Sequence, residues 1–155
     1  MKKLGYFTTF IVCILLFLQN MGAQTSMKNS VIGIQYVGPS DKPVTPIVIA
    51  ESWEDADLFK RIILKLSDLE MTDMHVVSSP LMDELVATVE KGVENGKKSQ
   101  ATTSVVITVV THGNTIEFHF NRRDAIKTLE RLNEISKGTP ALASDITHFQ
   151  TRISP

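Results

Sequence analysis

Residues 101–120 read ATTSVVITVVTHGNTIEFHF, and their interpretation decides the architecture. Threonine and valine crowd the first half, and both suit a pleated, half-buried surface. His112, Gly113, Asn114 and Thr115 supply a turn, after which apolar and polar side chains alternate strictly up to Phe120. A two-residue loop at Gly113 and Asn114 predicts a hairpin that pairs Thr111 with Ile116, Val109 with Phe118 and Ile107 with Phe120. Val105, Ile107, Val109, Ile116, Phe118 and Phe120 then share one face, which is read as core. Val106, Thr108, Val110, Glu117 and His119 share the other, which is mixed in character and expected to be less buried.

Working outward, residues 31–37 (VIGIQYV) form a β-branched apolar run that stops at the turn-forming residues 38–43. Residues 47–50 resume the strand pattern, which predicts a first hairpin with a long loop stiffened by proline. Ser52 stands ahead of Glu54 and Asp55 as a helix cap. Leu58, Phe59, Ile62, Ile63, Leu66 and Leu69 recur at spacings of three and four and predict a helix over 53–69. Residues 74–77 suit a short strand or an extended connector. Ser79 and Pro80 open a second helix, with an apolar stripe of Met82, Leu85, Val86, Val89 and Val93 that ends near Asn95 and Gly96. Asn121, with Asp124 three residues on, opens a third, whose inner positions Ile126, Leu129, Leu132 and Ile135 precede Gly138. Thr147, Phe149, Thr151 and Ile153 alternate with His148, Gln150 and Arg152, which predicts a last strand over 146–153. The order ββααββαβ describes a small α+β fold with a mainly antiparallel sheet and helices packed on one face, a single domain over residues 31–155.

Ahead of that domain, Met1, Lys2 and Lys3 precede a mainly apolar run to Leu18, and the chain turns polar and small through Gln19, Asn20, Met21, Gly22 and Ala23. A basic start, a short apolar core and a small residue at the polar boundary mark a signal peptide over 1–23, followed by a flexible leader over 24–30. The expected destination is the periplasm or the medium, with no stable membrane anchor after cleavage. Cleavage takes two of the 16 basic residues and none of the 17 acidic ones, so the net charge moves from −1 to −3 with histidine neutral. A mildly acidic domain lacks the electrostatic footprint of a nucleic-acid binder. The one cysteine, Cys13, leaves with the signal, so the exported domain is held by core burial without disulfides.

Motifs that carry chemistry are sparse. The chain has no glycine-rich phosphate loop, no Gly-x-Ser-x-Gly elbow, no His-Glu-x-x-His and no calcium loop. Neither a cofactor nor a metal is indicated. The residues best placed for catalysis are Glu117 and His119, two apart on one strand, which His148 and Arg152 join if the last strand lies beside the hairpin. Thr108 is expected opposite His119. Binding candidates are Val106, Thr108, Val110, Glu117 and His119 on the sheet face, with Arg122 and Arg123 at the third helix start, where free amides and guanidinium groups suit an anion. The acidic set Glu51, Glu54, Asp55 and Asp57 suits the positive end of the first helix. His75 and His112 have no partner at ligand spacing. The loop over 38–46 is the longest irregular segment, a common location for binding residues. These features favour a non-catalytic binding or interaction module that acts through the sheet face or the proline-rich loop on a protein partner or a second copy of itself. A self-associating structural subunit, or a small hydrolase-like enzyme using Glu117 and His119, are the alternatives.

Overall fold

The computed structural model describes residues 27–95 and 102–155. The expected signal peptide lies outside the described residues. Among the described residues, no helix is long and apolar enough to cross a membrane.

Two antiparallel hairpins build most of the sheet. β1 (Val31–Tyr36) pairs with β2 (Ile47–Ala50) across the proline-rich loop. β4 (Val105–Thr111) pairs with β5 (Asn114–Phe120). β1 and β4 lie side by side, antiparallel. β3 (Asp73–Val76), the segment left open between strand and connector, adds parallel to β2. The five-stranded order is β3-β2-β1-β4-β5, so β3 and β5 are the two edges. The small α+β fold with a mainly antiparallel sheet therefore stands, with one parallel pair.

That parallel pair requires a crossover. It is made by α1 (Trp53–Leu58) and the π-turn Phe59–Ile63 that continues it. Ser52 caps α1 as expected, accepting a hydrogen bond from the Asp55 amide at 3.2 Å. The helix stops short of the predicted Leu69, because Lys65 adopts a left-handed conformation at φ 53, and Leu69 is 95% exposed. α2 (Ser79–Asn95), α3 (Arg122–Ile135) and α4 (Pro140–Ile153) follow. The Asn121 cap holds the Asp124 amide at 2.8 Å.

α4 corrects the predicted last strand. Leu142, Ile146, Phe149 and Ile153 recur at spacings of four and three and are all buried, so helical periodicity prevails over the alternation of Thr147, Phe149, Thr151 and Ile153. Thr147 and Thr151 are exposed, and their hydroxyls bond back to the carbonyls of Ala143 and Thr147 at 3.0 and 2.9 Å. These β-branched residues are thus accommodated within the helix.

Helices cover both faces rather than one. The main core joins Ile32, Ile34, Ile47, Ile49, Ile107 and Val109 to the inner sides of α2, α3 and α4. On the opposite face Val31, Val48, Ala50 and Val110 pack with Ala56, Phe59 and Met27. The Phe59 ring lies directly on Gly33, where an added Cβ would stand 2.3 Å from it, so a central strand position is glycine because an aromatic ring occupies the side-chain space. Two-sided coverage explains the apolar run of β4, whose residues 105–110 are all buried. The edge strands β3 and β5 keep a half-solvated pattern.

The hairpin turn is also displaced. His112 and Gly113 occupy it with φ 50 and 76, the two left-handed positions of a type I′ turn, for which glycine and, less often, histidine are suited. Thr111 then faces Asn114, Val109 faces Ile116, Ile107 faces Phe118 and Val105 faces Phe120. The shift from the expected register is two residues, so each side chain keeps its face. Phe120 is buried, Phe118 half-buried and Ile116 46% exposed, because the core thins towards the β5 edge.

Candidate functional site

The sheet-face candidates do not form one accessible cluster. Val106, Thr108 and Val110 are 9, 3 and 1% exposed, enclosed by their neighbours in β1 and β5 and, at Val110, by the α1 layer. Thr108 faces Glu117, and it is Val106 that faces His119. Glu117 and His119 pair with each other at 3.1 Å with more than half of each side chain in solvent. Arg122 donates to the Tyr36 hydroxyl at 3.1 Å, and that hydroxyl donates to the Pro39 carbonyl at 2.9 Å, so Arg122 braces the start of the proline-rich loop. Arg123 is exposed. His148 and Arg152 lie on α4 beside β3, at the opposite edge of the sheet from Glu117 and His119.

Those two residues meet a different set of partners. In β3, Asp73 and His75 lie level with Ile47 and Ile49 of β2, which places both on the side covered by α4. On α4, Asp145, His148, Phe149 and Arg152 fall at helical spacings of three and four, one stripe directed at the β3 edge. The loop supplies Pro43, Val44 and Thr45 as the third wall of a recess. His75 Nε2 stands 2.7 Å from Asp145 Oδ2, with the histidine side chain 11% exposed and the carboxylate 33%. Burial raises the pKa of Asp73 above the ordinary value, and the neighbouring Asp145 carboxylate raises it further, while His75 and His148 draw it back. Two acids, two imidazoles and a guanidinium thus converge where the sequence alone left His75 without a partner.

The recess holds about 10 Å³, room for about one water molecule. It cannot enclose a small organic substrate. Among the described residues no group of three His, Cys, Asp or Glu side chains is arranged to hold a metal ion. What the arrangement offers is a rim of donors and acceptors of both signs.

The strand beside it is open. Asp73 and Val77 direct their amides to the Pro46 and Ala50 carbonyls of the β2 side at 2.9 and 2.8 Å. In a parallel ladder alternate residues face the neighbour, so the backbone groups of Met74 and Val76 point away from the sheet. Near this edge Trp53, Met71 and Val76 are 62, 79 and 37% exposed.

The acidic set around α1 has structural work instead. Asp55, 2% exposed, accepts from the amides of Lys28 and Asn29, each at 3.2 Å. Glu51 accepts from the Ser30 amide at 3.2 Å and from the Ser79 hydroxyl. The end of the expected leader is therefore fastened to the domain. Comparison of the chain with protein-family models, with curated proteins and with solved structures finds no match.

Proposed function

We propose that the protein is an exported, non-catalytic binding module that takes an extended peptide segment along the outer edge of β3. Export rests on the basic start, short apolar core and small-residue boundary of residues 1–23. The observation that carries the binding site is the open backbone of Met74 and Val76, set between exposed apolar side chains and the polar recess. Strand addition supplies affinity through main-chain hydrogen bonds and specificity through alternate side chains. An added strand would direct one set of side chains to Asp145, His148 and Arg152 and the other towards Val76 and Trp53. The fitting ligand therefore alternates polar and apolar residues. The proline-rich loop keeps a part in this reading, since Pro43, Val44 and Thr45 wall the recess.

The test is selection from a library of random peptides displayed in extended form, run on the wild-type protein and on Val76→Pro. The substitution removes an outward amide and leaves the β2 ladder intact, so thermal unfolding should change little while selected peptides lose most of their affinity. Peptides that bind both proteins equally would place the site elsewhere.

A further inference from the structure

We infer that the opposite edge, β5, is a self-association surface on which a second copy of this chain docks antiparallel, with Phe118 on the two-fold axis and Glu117 of each copy facing His119 of the other. This does not rest on the β3 reading. Thr111 and Asn114 flank a two-residue turn and so form a hydrogen-bonded pair. Alternation along the ladder then directs the backbone groups of Ile116, Phe118 and Phe120 into β4 and those of Thr115, Glu117 and His119 out of the sheet.

Edge strands are commonly protected by proline, lysine, a bulge or a covering segment. β5 has neither proline nor lysine, its seven residues pair with β4 in unbroken register, and Ile116, Glu117 and His119 are exposed. Its charges select the register. A pairing centred on Glu117 sets two carboxylates directly opposite, which is unfavourable. Moving the centre to Phe118 sets each Glu117 across from His119 of the second copy, in pairs that exchange main-chain hydrogen bonds. It also brings the two Phe118 side chains together across the closely spaced, non-hydrogen-bonded pair. The half-buried Phe118 and the exposed Ile116 then gain cover that the monomer lacks. Two five-stranded sheets become one continuous sheet.

Light scattering across a concentration series tests this directly. Wild-type protein should approach twice the monomer mass. Glu117→Lys removes the carboxylate from both crossings, and His119→Glu sets two carboxylates together, so each variant alone should stay monomeric. Mixed in equal amounts, the two variants set a lysine against a carboxylate at one crossing and restore the Glu117–His119 pairing at the other, and should recover the doubled mass. Both positions are more than half exposed, so circular dichroism should show an unchanged fold. Amide exchange on unaltered protein gives a second reading: the Glu117 and His119 amides should become protected as concentration rises. A wild-type protein that remains monomeric with concentration-independent exchange, single variants that still dimerise, or a mixture that stays monomeric would each overturn the inference.

Discussion

Among the described residues are two histidine–carboxylate pairs, one at each edge of the sheet, and they differ in nearly every respect that decides what such a pair does. His119 and Glu117 are two residues apart on one strand, 3.1 Å from each other and more than half exposed. His75 and Asp145 are 70 residues apart, 2.7 Å from each other, with the histidine 11% exposed. The first is a product of strand alternation and is strongly screened by solvent. The second joins an edge strand to the last helix and stands among Asp73, His148 and Arg152, where the Asp145 carboxylate and the His75 and His148 imidazoles act on the Asp73 carboxyl. Proximity in sequence is thus a poor guide to which pair organises its surroundings. The tertiary pair fixes a surface; the local pair decorates an edge that is free to meet something else.

The contrast breaks most completely if the floor under the tertiary pair is removed. Phe149 is 2% exposed, belongs to the main core and also lines the recess. Phe149→Ala should cost about 3 to 5 kcal/mol, a large share of a domain whose total is about 5 to 15. Urea denaturation measures it, and a cost below about 1 kcal/mol would mean that α4 is not seated on the sheet through this ring.

Next in size is the pair itself. His75→Ala leaves the Asp145 carboxylate without its partner in a part-buried setting, and the cost should be about 1 to 3 kcal/mol in urea midpoints. Comparing His75→Ala, Asp145→Ala and the double variant isolates the interaction, because the second substitution should cost little once the first is made.

Why one pair was legible and the other was not follows from the residues. Strand alternation puts Glu117 and His119 on one face whatever the register, so the two-residue error at the His112 turn left their relation intact. The His75 contact needs β3 and α4 side by side. The alternating threonines of residues 147–153 coincide with a helical stripe, and reading them as a strand hid the stripe of Asp145, His148 and Arg152. The caps at Ser52 and Asn121 were legible because they are local and chemical. The second layer over β4 was not, because its key contact, Phe59 on Gly33, joins segments that composition does not connect.

A smaller effect, of opposite sign, is expected at Asp73. Its native pKa is raised, so between the ordinary value of 3.8 and that raised value the folded protein binds the proton more readily than the unfolded chain. Stability from this group is therefore fully present below the window and is lost as pH rises through it. Asp73→Asn removes the loss. The variant should unfold at slightly higher urea than wild type at neutral pH, with the difference shrinking to nothing on acidification below the window. An advantage that persisted there would show that the asparagine acts through a new contact rather than through the missing charge.

The smallest effect belongs to the exposed pair, and it separates the two roles most cleanly. His119→Ala removes a contact whose two side chains are 52 and 60% exposed, and exposed pairs of this kind contribute about 0 to 1 kcal/mol. At a concentration low enough to keep the chain monomeric, the urea midpoint should therefore move by no more than about 0.5 kcal/mol in free energy. At high concentration the same substitution should lower the stability gained by association, because ligation of the native state by a second copy adds to apparent stability by mass action. A wild-type midpoint that rises with concentration, beside an alanine variant whose midpoint does not, assigns the exposed pair to the interface. A large loss already present in the monomer would mean instead that His119 supports the fold, and the contrast between the two edges would fail.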